Sequence, residues 1–462
     1  MKKTLLLLAA ASCSLAASCA TKEPPTPAEN TAKALPNAQV PANFAATGGA
    51  GTAQVQSAWL QTFNDPTLDA LVAEALTYNL DLRASKARLD SAAASAQAAG
   101  ATLKPVVSAS GSGLTQANAE GTRATGRGAG LNISWELDVW GRLRQQTGAA
   151  EAKYEGAALD YEYARQSIAA ATAKAYFLTR ETLQQQMLAE EQVGSYTEMA
   201  RIITSRKAAG KLGEQDVRLV QADLAAAQDR LASAQAAHKQ STRALEAILG
   251  RYPSAELAAA PALPAMPGPV PAGIPSEVLE RRPDVAASER RVNAAFRNVE
   301  AKKLARLPSI GLTASAGASS GLASLTGNGG FFNIGGNFLA PIFDGGQRKA
   351  DVKIATADQE QALAAYGQTA LRALKEVEDA LTADATLERR ETLQQSAVSD
   401  TQEALRLRQI EADTGKADTL SVLQLKAKLD LAKSGLITLR QSRRAERVNL
   451  HLALGGSFEA AK

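Results

Sequence analysis

The chain repeats itself, at an offset of about 205 residues. Asp81, Ala84, Ser85, Arg88, Ala92 and Pro105 align without gaps onto Asp284, Ala287, Ser288, Arg291, Ala295 and Pro308. Further on, Arg180-Glu181-Thr182-Leu183-Gln184-Gln185 recurs as Arg390-Glu391-Thr392-Leu393-Gln394-Gln395. Gly210-Lys211, Val217, Leu224 and Leu231 then match Gly415-Lys416, Val422, Leu429 and Leu436, and the copies end alike at Leu249-Gly250 and Leu454-Gly455. A tandem duplication confines the fold to two versions of one supersecondary unit, joined at the Pro- and Ala-rich segment 251–275.

Hydrophobic periodicity gives each copy the same order: a helix, two strands, a very long helix, then another helix. The first copy places its helices at about 67–99, 142–208 and 214–249, and the second at about 276–305, 347–413 and 418–454. A helix of about 67 residues at 1.5 Å rise spans about 100 Å, far beyond an ordinary globular helix. The two shorter helices of each copy sum to about that length, so they can stack end to end beside it. The last helix of each copy shows how such rods associate. Val217, Val220, Leu224, Ala227 and Leu231 keep alternating steps of three and four, as do Val422, Leu425, Leu429, Ala432 and Leu436, which is a coiled-coil seam. Both seams turn polar at one level, His238/Ser241 and Arg443/Glu446, which reads as a change of packing partner rather than a proton site.

The strands alternate. Leu131, Ile133, Trp135, Leu137 and Val139 share one face, against Asn132, Ser134, Glu136 and Asp138 on the other. Phe332, Ile334, Gly336, Phe338, Ala340 and Ile342 alternate similarly against Asn333, Gly335 and Asn337. Segments of small residues, 107–113 and 310–317, are their weaker partners. The lengths suit tilted strands crossing a bilayer, apolar outward and polar toward water. Four strands cannot close a barrel, and an open edge in lipid leaves backbone groups unsatisfied, so several chains must share one barrel. The Gly- and Ser-rich stretches 115–128 and 319–330 then serve as outer turns.

Composition excludes other classes. Lys and Arg number 51 against 47 Asp and Glu, a net charge of +4, too balanced for a nucleic-acid footprint. Two His and two Cys leave little for a zinc site, an iron–sulfur cluster or a disulfide framework. The Gly126-Arg127-Gly128-Ala129-Gly130 run precedes a strand and no βαβ unit follows, so it is no nucleotide loop, and neither His has a nucleophile constellation. No metal, catalytic residue or cofactor is expected. The start, Met1-Lys2-Lys3 followed by an apolar run to Ala17, reads as a signal peptide over 1–18.

Leu15-Ala16-Ala17-Ser18-Cys19 resembles a bacterial lipobox, with Ala16 where Leu is preferred. Cys19 is therefore the expected lipidation site, simple signal-peptidase cleavage being the alternative. Residues 19–58 follow as a lipidated, extended tether rich in Ala, Pro, Thr and Gly.

Further motifs run along the chain and carry a family resemblance. The motifs are Trp59-Leu60-Gln61-Thr62-Phe63 with Asp65, and Trp135-Glu136-Leu137-Asp138-Val139-Trp140-Gly141-Arg142-Leu143-Arg144. To these add Gly273-Ile274-Pro275-Ser276-Glu277-Val278-Leu279-Glu280-Arg281-Arg282-Pro283-Asp284, Pro308, Pro341-Ile342-Phe343, and Glu376-Val377-Glu378-Asp379-Ala380-Leu381. Together they resemble the TolC-like outer-membrane factors, in particular the lipoprotein branch that serves resistance-nodulation-division (RND) pumps. The resemblance implies a mainly α fold with a membrane β-barrel: a homotrimer whose twelve-stranded β-barrel, four strands per chain, continues into a twelve-helix periplasmic α-barrel. It assigns 59–250 to the first repeat, with strands at about 105–114 and 130–140. The second repeat is 276–455, with strands at about 309–318 and 331–343, and 456–462 is a tail.

The implied function is passive export of small toxic compounds, with a periplasmic adaptor protein and an inner-membrane RND transporter as partners. The alternatives are a type I protein-secretion duct and, in a different class, a periplasmic adaptor lipoprotein, against which the duplicated strands argue. The turns 208–216 and 413–421 become the adaptor-docking tip, with Arg206, Gly210, Leu212, Gly213 and Gly415 as contact residues. Gly210 and Gly415 also read as helix C-caps. The acidic ring of some relatives aligns with Ser421 and Gln424 and is missing. Glu214, Asp216, Asp413 and Asp418 are the candidate aperture, or else isolated surface charges.

Overall fold

The computed structural model describes residues 22–38, 40–47, 57–117, 121, 123–258, 260–321 and 329–459. The leader, Cys13 and the expected lipidation site Cys19 lie outside the described residues. In chain order the helices are α1 (Pro27–Ala34), α2 (Pro66–Tyr78), α3 (Leu80–Ala101), α4 (Arg142–Ala208), α5 (Glu214–Ile248), α6 (Pro275–Arg281), α7 (Pro283–Leu304), α8 (Gln347–Asp413) and α9 (Thr419–Ala453). The strands are β1 (Val106–Ala117), β2 (Arg123–Leu137), β3 (Ser309–Gly321) and β4 (Gly329–Leu339). Both long helices, α4 and α8, have 67 residues. The chain divides into two compact units that cut across the sequence repeats: residues 1–39, 86–160 and 284–370 form one, and 40–85, 161–283 and 371–462 the other.

In the first unit the strands form one antiparallel sheet in the order β1-β2-β3-β4. Register aligns the faces across all four. Val107 lies beside Ile133, which lies beside Ala314, which lies beside Ile334, and Trp135, Leu312 and Gly336 repeat the alignment one step along. The opposite face carries Asn132, whose amide donates to the Ser110 hydroxyl at 2.9 Å. The sheet therefore has one apolar and one polar face, and along the central strands β2 and β3 the apolar face is the more exposed of the two.

The strands end differently from the sequence expectation. Of the stretches expected as turns, residues 115–117, 123–128, 319–321 and 329–330 are strand, because Gly and Ser keep full backbone hydrogen bonding there, while 118–120, 122 and 322–328 lie outside the described residues. Conversely, β2 stops at Leu137, since the Asp138 carboxylate accepts the Leu143 and Arg144 backbone N–H groups at 2.8 and 2.9 Å and caps α4. β4 stops at Leu339 rather than 343, because Pro341 has no N–H for the ladder.

The segment expected to be an extended tether also differs. Its residues 27–34 form α1, with Thr26 and Glu29 exchanging capping-box hydrogen bonds, and Thr31 hydrogen-bonds the Tyr366 hydroxyl of α8 at 2.7 Å.

In the second unit the expected single first helix of each copy is broken. At Asn79 the backbone turns extended, while its side chain accepts the Asp81 and Leu82 N–H groups and donates to the Ile248 carbonyl. At Arg282 the following proline forces an extended conformation. Arg282 is 1% exposed and pairs with Glu376 at 2.7 Å, joining two motifs far apart in sequence. The main core gathers Trp59, Phe63, Leu68, Val72, Tyr176, Phe177, Leu245, Val448 and Phe458.

At its edge His451 is 3% exposed and stacks on Trp59 with ring centroids 5.8 Å apart. Burial, with the Arg447 charge adding to it, pushes the imidazole down to about 4 from its ordinary 6.5. The unfolded chain therefore binds a proton that the folded chain refuses, and stability falls as pH drops from about 6.5 to about 4, by up to about 3 kcal/mol. Thermal melting between pH 7.5 and 4.5 should show this limb, and His451→Leu should flatten it. An identical acid limb in the variant would assign it to other groups.

Candidate docking tip

The tip is built by helix-capping chemistry repeated in the two copies. α4 ends with Gly210 at φ +71°, where the Lys211 N–H reaches back to the Arg206 carbonyl at 2.9 Å. α8 ends with Gly415 at φ +75°, where the Lys416 N–H reaches the Glu411 carbonyl at 2.8 Å. Both positive-φ glycines are what this cap requires, and the space where a Cβ would sit is open at both. The next helices start with acid caps. The Gly213 N–H donates to Asp216 at 2.9 Å, and the Ser421 N–H donates to Asp418 at 2.9 Å.

Behind the turns, Tyr196 and Ile203 of α4 pack with Val217 and Val220 of α5, and Leu423 of α9 enters the same cluster. Val398 and Leu405 of α8 pack with Val422 and Leu429 of α9. Met199 touches both clusters, so the two hairpins share side chains just behind their turns.

The nominated docking residues divide by exposure. Gly210, Gly213 and Gly415 are exposed, Arg206 is half-buried, and Leu212 is half-buried against the α4–α5 cluster. The aperture candidates are mostly engaged within the chain. Asp216 and Asp418 cap helices, while Glu214 is held between Lys207 and Arg218, the latter at 2.8 Å. The Lys207 hydrogen bond holds the Glu214 carboxyl below its usual range, and the hydrogen bonds with Ser421 do the same for Asp418. Asp413 is exposed at the end of α8. Lys211 and Lys416, exposed at equivalent turn positions, join the surface without having been singled out; the repeated Gly-Lys pair was the available signal.

Higher on the last helices, the two polar seam positions are bonded to the long helices. The Thr182 hydroxyl lies 2.7 Å from Ser241 and 3.3 Å from His238 Nδ1. Arg443 spans Glu388 and Glu391 at 2.5 and 3.0 Å.

Comparison with known proteins places this architecture. The family model for outer membrane efflux proteins matches residues 71–251 and 274–456. The chain is 32% identical to the "Toluene efflux pump outer membrane protein TtgC" of Pseudomonas putida, over 99% of this chain and 96% of that protein. Among solved structures it is similar to the outer-membrane channel OprN, with a TM-score of 0.82 and 27% identity over 91% of this chain and 97% of the other. The CmeC outer membrane channel of Campylobacter jejuni gives a TM-score of 0.85 and 25% identity over 92% and 95%. The sheet with one apolar and one polar face, the paired helical hairpins and these likenesses converge: the chain belongs to the outer membrane efflux protein family and is an outer-membrane efflux channel protein.

Proposed function

We propose that three copies close one twelve-stranded barrel and that the assembled duct passively exports small toxic compounds. An inner-membrane RND transporter supplies the energy, and a periplasmic adaptor docks on the turns that carry Gly210 and Gly415. The observation that carries this reading is the sheet register. It makes one face apolar from Leu137 to Ala129 along β2 and in line with it on the neighbouring strands, while leaving β1 and β4 as open edges, and only further copies can satisfy those edges in lipid. Export of small apolar compounds is supported by the likeness to a protein named for toluene efflux. A lipid on Cys19 adds an anchor to the barrel.

The test is in-cell photo-crosslinking from Lys211, which is exposed where Leu212 is packed into the seam. Capture of an RND-type adaptor is the expected result, and its genetic partner identifies the pump. Capture of a protein-secretion adaptor instead would replace the efflux reading. An assembled, probe-bearing channel that captures no adaptor would overturn the placement of the tip.

A further inference from the structure

The apolar face of the sheet ends in two arginines. Along β2, the residues on that face run Leu137, Trp135, Ile133, Leu131 and Ala129, then Arg127, Thr125 and Arg123, all on the strand's odd-numbered positions. Arg127 lies between Gly113 of β1 and Ser320 of β3, and Arg123 lies beside Ala117 of β1. Both arginines are exposed, and neither has an ion-pair partner among the described residues. The neighbours that the register gives them, Gly113, Ser320 and Ala117, are too small to cover them.

The four described strands hold one acidic residue, Glu136, at the opposite end of β2, where it pairs with Arg142 at 2.7 Å. The β1–β2 turn sequence adds a single Glu120, so this end of the hairpin stays net positive.

Depth gives these charges a meaning. A strand rising about 3.3 Å per residue and tilted about 40° climbs about 2.5 Å per residue along the membrane normal. The roughly ten residues from Leu137 to Arg127 therefore climb about 25 Å, the height of the apolar band of an outer-membrane barrel. Arg127 then sits at the upper limit of the hydrocarbon and Arg123 about 10 Å further out, in the headgroup layer. The helices leave the sheet at the other end, so this limit is the cell-surface leaflet. A lipid-facing arginine is costly in mid-membrane and nearly free at the interface, where its planar fork matches phosphate oxygens two at a time.

We propose that Arg123 and Arg127 form a binding site for the phosphate groups of the lipid that makes up the outer leaflet, one site per chain. The assignment rests on the membrane-spanning reading of the sheet. Two guanidiniums without an ion-pair partner among the described residues, one face, one strand and a separation matched to the headgroup layer together favour a phosphorylated lipid over a free anion.

The test uses the assembled full-length channel and native mass spectrometry, with bisphosphorylated lipid A as the probe. The wild type should retain lipid A at least tenfold more than the Arg123→Gln/Arg127→Gln variant does. An Arg123→Lys/Arg127→Lys pair should fall between them, because charge persists while the fork is lost. Enzymatic removal of both phosphates from the lipid should lower wild-type retention to the variant's level, a comparison that does not depend on any variant folding.

Equal retention with and without the lipid's phosphates would overturn the proposal. So would equal retention of phosphatidylethanolamine, and so would displacement of lipid A by millimolar inorganic phosphate, which would make the pair a free-anion site. A channel that fails to insert into bilayers at all would instead count against the membrane-spanning reading, so the two failures are told apart.

Discussion

Replacing Ile133 with arginine should eliminate assembled channel from the outer membrane. Ile133 sits between Val107 and Ala314 on the apolar face, four positions above Leu137, close to mid-membrane on the geometry of tilted strands. A lipid-facing arginine there costs about 2–4 kcal/mol, and threefold repetition brings this to about 6–12 kcal/mol, comparable with the whole stability of a typical domain. The neighbouring Asn132→Arg, on the water-facing side, should assemble normally. Detergent-resistant trimer in outer-membrane fractions is the readout, with loss of efflux following loss of trimer. Normal trimer from Ile133→Arg would mean that this face does not meet lipid.

The second large effect is expected at Asp65. Its carboxylate is 9% exposed and does three things at once. One oxygen accepts the Thr67 and Leu68 N–H groups and so caps α2. The other accepts the Tyr176 hydroxyl at 2.9 Å and pairs with Arg180 at 2.9 Å. Arg180 in turn lies 4.4 Å over the Tyr176 ring and donates to the Ala262 carbonyl at 2.6 Å. Burial, with the Asp65 hydrogen bond adding to it, pushes the Tyr176 hydroxyl far above its ordinary range, so it remains a donor.

Asp65→Ala strands a buried guanidinium without its counter-charge and should cost about 3–5 kcal/mol. Asp65→Asn keeps an acceptor for the cap and should cost less. The double variant Asp65→Leu/Arg180→Met, which removes both charges, should recover much of the loss. Urea melts of the solubilised protein give the three values. A loss in Asp65→Ala below about 1 kcal/mol, the range of exposed ion pairs, would mean the pair is effectively solvated.

The sequence carried the architecture further than it carried the site. The bounds of the two long helices could be read because their punctuation is local: Gly141 before α4, the Asp344-Gly345-Gly346 turn before α8, and Gly210 and Gly415 after them. The strand ends were harder to read. Gly and Ser signal turns in isolation, yet in a cross-strand ladder their backbones pair as well as any. The breaks at Asn79 and Arg282 were hidden for a similar reason, since the apolar period continues across both. Only the Asn79 side chain and the proline after Arg282 interrupt the backbone.

At the tip, the turn positions were legible while the roles of the acids were not. An Asp three residues before a Ser and an Asp three after a Gly serve their own helices, and that use competes directly with facing an aperture. The Asp65–Tyr176–Arg180 group spans more than a hundred residues of sequence, and no local pattern announces it.

The open edges of the sheet have a genetic consequence. Each barrel needs the β1 edge of one copy to find the β4 edge of another, three times around, so a chain that pairs correctly but carries a defect elsewhere is built into channels beside sound ones. With equal synthesis of sound and defective chains, only about one channel in eight contains sound copies alone. Assembly-competent tip variants should therefore be dominant over the chromosomal copy, whereas barrel-breaking variants, excluded from pairing, should be recessive.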